Sequence, residues 1–146
     1  MTDFELDARL QHDTVLIGDW SLSRILLMND RHYPWLILVP RRAGISEIYQ
    51  LDDADRAQLL SESCLLAQSM AEVLKPQKMN VANLGNVVAQ LHVHHVARFV
   101  DDPAWPAPIW GKLPPHKYAD EVLLETQLFW QALLAQKQPF MSAPGL

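Results

Sequence analysis

Between Gln90 and Arg98 the chain reads QLHVHHVAR, which places three of its six histidines within four residues. Imidazole suits chemistry at neutral pH. With an unperturbed pKa of about 6.5 it is largely free base at pH 7, able to act as nucleophile, proton carrier or metal ligand. Side chains alternate along a strand, so residues two apart share a face. Gln90, His92 and His94 then form one set. Leu91, Val93 and His95 point the other way, and packing or surface exposure is the expected role of His95. Two imidazoles so placed lie roughly 6.5 to 7 Å apart at Cα, a spacing that suits a metal or a phosphate.

Zinc would need at least one further His, Cys or carboxylate. His12, His32, Asp101 and Asp102 would have to be recruited by the fold, and no second motif points to them. No metal and no cofactor are expected. Nucleophilic catalysis asks for less: one neutral imidazole held by hydrogen bonds, with donors for the negative oxygens.

The elements that must hold this set are readable in outline. Residues 3–12 suggest a helix, with Phe4, Leu6 and Leu10 spaced among polar residues. TVLIGDW suggests a strand turning at Gly18-Asp19, and SRILLMND a second strand closed by Asn29-Asp30. PWLILVPRR suggests a third, apolar enough to be buried on both faces. Leu51-Asp52-Asp53 caps a long helix whose stripe reads Ala57, Leu60, Cys64, Ala67, Ala71 and Leu74, and Pro76 stops it. KMNVANLG and VVAQLHVHHVARF suggest two more strands around a Gly85-Asn86 turn. After a proline-rich stretch at 101–115, helical spacing returns from Tyr118 to about Ala135. The short links favour antiparallel pairing, so the fold class is α+β.

The chain's 146 residues fit one domain, 1–146, with its core at 14–98 and a proline- and tryptophan-rich segment and C-terminal helix at 101–146. A net charge of −5 argues against nucleic acid as a partner. Cys64 is the only cysteine, so packing and not disulfides must stabilise the fold. MTDFELDARL lacks the pattern of a signal peptide, and no apolar run approaches the roughly 20 residues of a membrane helix. No membrane partner and a cytoplasmic location are the expectations.

LLMNDRHYPWLILVPRR and NVANLGNVVAQLHVHHVAR, taken together, resemble the histidine triad (HIT) family, and the likeness spans Arg24 to Arg98. DDPAWPAPIWGK is similar to a bacterial branch with Gln at the first triad position. The resemblance implies a HIT-like fold: a five-stranded antiparallel sheet, a long helix packed on it and a C-terminal helix, assembled as a homodimer. It also implies hydrolysis or transfer at a nucleotide α-phosphate through a nucleotidyl-histidine. Dinucleoside polyphosphates, nucleoside phosphoramidates and adenylylated compounds are the typical substrates. His92 matches the nucleophile and His94 the last triad position, with Gln90 at the first. Asn83 matches a phosphate-contacting amide, Gly85 and Asn86 the turn, and Asn29 or Asp30 the ribose ligand.

Three departures stand out. Gln90 carries no titratable proton, though its amide donates hydrogen bonds. Val87 replaces a hydroxyl that helps the leaving group, and Trp35 falls near a supporting histidine. Leu26, Met28 and Leu36 are candidates for a base pocket but read better as core. Trp105 and Trp110 read as packing at a dimer or helix contact in preference to a lid, and Arg98 as structural. Competing readings are a nucleotide sensor with weak turnover, a nucleotidyltransferase, and a metal-binding protein.

Overall fold

Three successive apolar segments pair as a meander. In the computed structural model, which describes residues 3–138 and 141–142, β1 (Thr14–Asp19), β2 (Ser23–Met28) and β3 (Trp35–Pro40) run antiparallel. β5 (Val93–Arg98) pairs with the free side of β3, and β4 (Lys78–Ala82) with β5. The resulting order β4-β5-β3-β2-β1 is the five-stranded antiparallel sheet of the expected α+β class. A two-residue strand, β6 (Met141–Ser142), extends it beyond β1. β3 lies at the centre and is buried from Leu36 to Pro40, as its unbroken apolar run predicts.

The sheet has two differently covered faces. Leu36, Leu38, Val93 and Ala97 pack beneath α2 (Asp53–Leu74) and α3 (Asp120–Ala135), against Leu59, Leu66, Met70, Trp130 and Leu134. The opposite face carries Leu26, Ile37 and Val39 under Leu10 of α1 (Ala8–Asp13). It also carries Tyr33 and Val96 under Ala104 and Ile109 of the proline-rich strap.

α2 begins where its sequence predicts: the Asp52 carboxylate accepts from the Asp55 N–H at 2.8 Å. It ends at Lys75, whose left-handed backbone (φ 52°) stops the helix just before Pro76. Its buried stripe differs from the expected one, since Leu60 is 66% exposed and Cys64 is exposed. The buried residues are Leu59, Glu62, Leu66, Ser69 and Met70, one position round the helix. Two of them are polar, which hid the stripe from an apolar count. Both are buried because they are satisfied. Glu62 accepts from the N–H groups of Leu22 and Ser23 at 2.9 and 3.0 Å and from Gln58, and Ser69 donates to the Leu65 carbonyl.

Three boundaries also shift. The first turn falls after Asp19, because Gly18 sits in a bulge of β1. There the carbonyls of Leu16 and Ile17 accept from Gln127 and Gln131 of α3. α1 is shorter than expected, since Glu5 and Asp7 are held in extended form by Gln90. β4 ends at Ala82 and β5 begins at Val93, so residues 83–92 are a loop in place of two strand ends. That loop binds the body through its own main chain: the Leu91 N–H donates to the Ile45 carbonyl.

Candidate active site

The loop before β5 fixes His92. Its Nδ1 lies 2.6 Å from the Gln90 carbonyl. A carbonyl can only accept, so Nδ1 carries the proton and Nε2 keeps the lone pair. His94 is fixed from the neighbouring strand, where Trp35 Nε1 donates to its Nδ1 at 3.0 Å. An indole can only donate, so neutral His94 carries its proton on Nε2. The two rings meet edge to face with centroids 4.8 Å apart. One therefore offers a free lone pair and the other an N–H.

The pair stays uncharged at His94. Burial first, and then the neighbouring His92 and His95, hold its pKa down to about 3. His95 is wholly buried on the helix-covered face, where its Nε2 lies 2.7 Å from Ser63 Oγ and its Nδ1 3.0 Å from the Val93 carbonyl. Burial lowers its pKa to about 4 against the opposing pull of hydrogen bonds to the Val93 and Leu36 backbone. It packs, as strand alternation predicts.

His92 and His94 open onto a pocket of about 460 Å³. Leu10, Met28, Trp35 and Val88 give it an apolar side, and Gly85 and Asn86 line it from the loop. Gly85 is required by its positive φ of 83°, since a Cβ there would meet nothing closer than 3.7 Å. Asn29 and Asp30 line it from the end of β2. Both also hold the strap: Asn29 Oδ1 accepts from the Tyr118 N–H at 2.9 Å, and Asp30 Oδ1 from the His116 N–H at 3.3 Å.

The expected set is thus divided. His92, His94, Gly85, Asn86, Asn29 and Asp30 surround one pocket. Asn83 is half-buried and is not among its lining residues. Gln90 departs furthest from expectation. It precedes the strand, so alternation does not set its direction, and its amide is engaged elsewhere. Oε1 accepts from the Asp7 N–H at 2.9 Å, and Nε2 donates to the Glu5 carbonyl at 2.8 Å.

Several lining residues were not legible from the motif. Leu10 and Asp13 come from α1, and Lys117 from the strap. Trp110, read from sequence as a packing residue at a dimer or helix contact, lines the pocket instead, its ring 5.2 Å from His94 and edge-on to Trp35. Two indoles in an irregular segment directly after the histidines were the available signal. Trp105 lies over the Arg98 guanidinium. Arg98 is 2% exposed and grips both oxygens of Asp102, Asn80 Oδ1 and the Ala107 carbonyl, which makes it the strap's anchor. Burial works to raise the pKa of Asp102, but Arg98 and the N–H groups of Phe99, Ala104 and Trp105 outweigh it and hold the value at about 2. Among the described residues, no three His, Cys, Asp or Glu side chains group as metal ligands.

A sheet of this order, with two tautomer-locked imidazoles at the mouth of its central antiparallel pair, defines a histidine triad architecture. Residues 9–101 match the HIT domain, and the chain belongs to that family. It is 47% identical to a histidine triad protein from Marinobacter aquaeolei VT8, with a TM-score of 0.90 over 94% of this chain and 100% of that one. A histidine triad protein from Bradyrhizobium japonicum is 42% identical, with a TM-score of 0.87 over 94% and 100% of the two chains. The Plasmodium falciparum diadenosine triphosphate hydrolase, 15% identical, shares the fold with a TM-score of 0.60 over 92% of this chain and 82% of that one. No curated protein matches the chain. No helix among the described residues is long and apolar enough to cross a membrane.

Proposed function

We propose that this protein is a nucleotide hydrolase of the histidine triad type. It would cleave at the α-phosphate of a dinucleoside polyphosphate, nucleoside phosphoramidate or related nucleotidyl compound. The observation that carries the reading is the opposed pair of tautomers: a lone pair on His92 Nε2 beside an N–H on His94 Nε2. Membership of a family that includes nucleotide hydrolases supports it.

In this scheme His92 Nε2 attacks the α-phosphorus, and the bond to the leaving group breaks with its electron pair. The Nδ1 proton stays in place, donated to the Gln90 carbonyl. A nucleotidyl-His92 results; water then attacks its phosphorus, the P–Nε2 bond breaks with its electron pair returning to Nε2, and the nucleoside monophosphate leaves with the water's spare proton released to solvent. His94 Nε2–H, the Asn86 amide and the loop N–H groups near Gly85 would receive the negative oxygens, and Asn83, outside the pocket lining, would join them only by turning toward bound phosphate. One such preorganised donor contributes about 3 kcal/mol to transition-state stabilisation. Asn29 and Asp30 would take the ribose, and the apolar side of the pocket the base. Gln90 acts on this chemistry through its carbonyl.

Intact-mass spectrometry after incubation with adenylyl and guanylyl donors tests the scheme. A covalent nucleotidyl adduct in the wild type that vanishes in His92→Ala is the expected result. A His92→Ala variant that keeps full turnover overturns it.

One observation favours a second reading, a nucleotide-binding protein with weak turnover. Val87, at the pocket, is 77% exposed and offers no proton to a leaving group. Calorimetric binding of AMP, together with no adduct from any of the adenylyl and guanylyl donors, would select it. Transfer of the nucleotide to an acceptor other than water shares the first half-reaction, and product analysis separates the two. The same reading extends to a cytoplasmic homodimer. Exposed Val81 on the edge strand β4 supports the assembly, and sedimentation velocity and cell fractionation check the two points.

A further inference from the structure

Position 90 is occupied by an amide whose two ends face the main chain of a segment more than eighty positions away. Oε1 takes the Asp7 N–H and Nε2 gives to the Glu5 carbonyl. Residues 5 and 7 of an extended segment present an acceptor and a donor side by side, the pair a neighbouring strand would normally satisfy. Only a carboxamide offers the complementary pair from a single planar end. A carboxylate brings two acceptors, an imidazolium two donors, and a neutral imidazole a donor and an acceptor that diverge across the ring.

The clasped residues lead directly into a wall of the pocket. Asp7 is the N-cap of α1, and its carboxylate accepts from the Arg9 N–H. Leu10 and Asp13 of that helix line the pocket. A second tie closes the same helix onto the loop before β5, where Arg9 Nη1 donates to the Val87 carbonyl at 3.0 Å. Thr14, the first residue after the helix, donates its hydroxyl to the Leu10 carbonyl.

We infer that Gln90 is a positioning residue for nucleotide affinity: its side-chain amide clasps residues 5–7 and so holds α1 as a wall of the nucleotide site. The inference rests on the proposed nucleotide function. It separates two jobs at one residue, since the carbonyl orients His92 and the amide shapes the pocket. A protein whose α1 is docked only part of the time binds nucleotide more weakly by that fraction.

Calorimetry with AMP and amide hydrogen exchange of residues 8–13, on the full chain, test it together. Gln90→Ala, Gln90→Glu and Gln90→His are each expected to weaken AMP binding about tenfold, the scale of one or two lost neutral hydrogen bonds. Each is also expected to speed exchange across α1. Arg9→Ala, a change at an exposed side chain, should reproduce both effects at about threefold. It keeps the inference testable if a Gln90 variant fails to fold.

A Gln90→His protein that binds AMP as tightly as wild type overturns the inference, because restoring an imidazole should not restore a clasp. Weaker binding with unchanged α1 exchange overturns it in favour of direct contact between Gln90 and nucleotide. Faster exchange with unchanged affinity overturns α1 as a wall. All three leave the proposed function standing. A wild-type protein that binds no AMP takes down that function and this inference together.

Discussion

Two neutral histidines buried back to back make the protein sensitive to mild acid, and the size of the effect can be worked out. His95 is fully buried and His94 is 5% exposed. Their folded pKa values are about 4 and about 3, below the 6.5 of a free imidazole. A depressed folded pKa means that protons prefer the unfolded chain. The stability linked to these groups is complete above pH 6.5 and drains away as pH falls through the window from 6.5 toward 4 and 3. Near pH 5 the unfolded chain binds nearly two more protons at these sites than the folded one. Unfolding free energy should then fall by about 2.5 kcal/mol per pH unit, of which His95 supplies about half. Between pH 7.5 and 4.5 the accumulated loss is about 5 kcal/mol, a large share of the roughly 5 to 15 kcal/mol typical of a domain. Asp102 stays out of this window, because its stabilising charge is lost only as pH falls from 3.8 toward 2. The assay is urea unfolding followed by tryptophan fluorescence at half-unit pH steps, on wild type and His95→Gln. The readout is the slope against pH, which is independent of how stable the variant is at its starting pH. A wild-type slope near zero between pH 5 and 6, or a slope that His95→Gln leaves unchanged, refutes the buried neutral imidazole.

The remaining predictions concern three ties that hold the site. Trp35→Phe keeps the aromatic packing but removes the donor to His94 Nδ1. Nitrogen-15 NMR should then show protons moving from Nε2 toward Nδ1, with nucleotidyl transfer slowed about tenfold and stability lowered by about 1 kcal/mol; an unchanged tautomer would sink the assignment. Glu62→Leu strips two buried N–H groups at Leu22 and Ser23 of their acceptor, and urea midpoints should report a loss of about 3 kcal/mol. A loss under half of one kcal/mol would contradict that account. Asp102→Asn leaves Arg98 buried without its counter-charge. It should destabilise the chain by about 3 kcal/mol and speed hydrogen exchange across the strap at 103–118. Unchanged exchange there would show that the strap is anchored by other contacts.

The parts of this structure governed by local rules were legible in the sequence. The unbroken apolar run of β3, the Asp52 cap of α2 and the separation of His95 from its neighbours each follow from one segment's own chemistry. The misread parts depend on partners far along the chain. Glu62 is invisible as a core residue until the turn at Leu22 and Ser23 is seen resting on it. Gln90 reads as a strand residue facing phosphate until Glu5 and Asp7 arrive to occupy its amide. Strand periodicity also overreached: it carried β5 back through Val87, whereas the loop from Asn83 to His92 takes its hydrogen bonds from Ile45, Arg9 and its own carbonyls. Trp110 and Lys117 sit in an irregular segment that has no period, so nothing in the pattern aimed them at the pocket.

The bulge in β1 has a consequence for how the chain acquires its structure. Gln127 and Gln131 reach back across 111 and 114 residues to the carbonyls of Leu16 and Ile17. During synthesis the β1–β2 hairpin therefore emerges long before its partners exist, and those two acceptors stay with water until α3 has left the ribosome. Closing so long a loop is slow compared with forming a hairpin. The C-terminal helix is thus set to dock last, completing a strand that was among the first to be made.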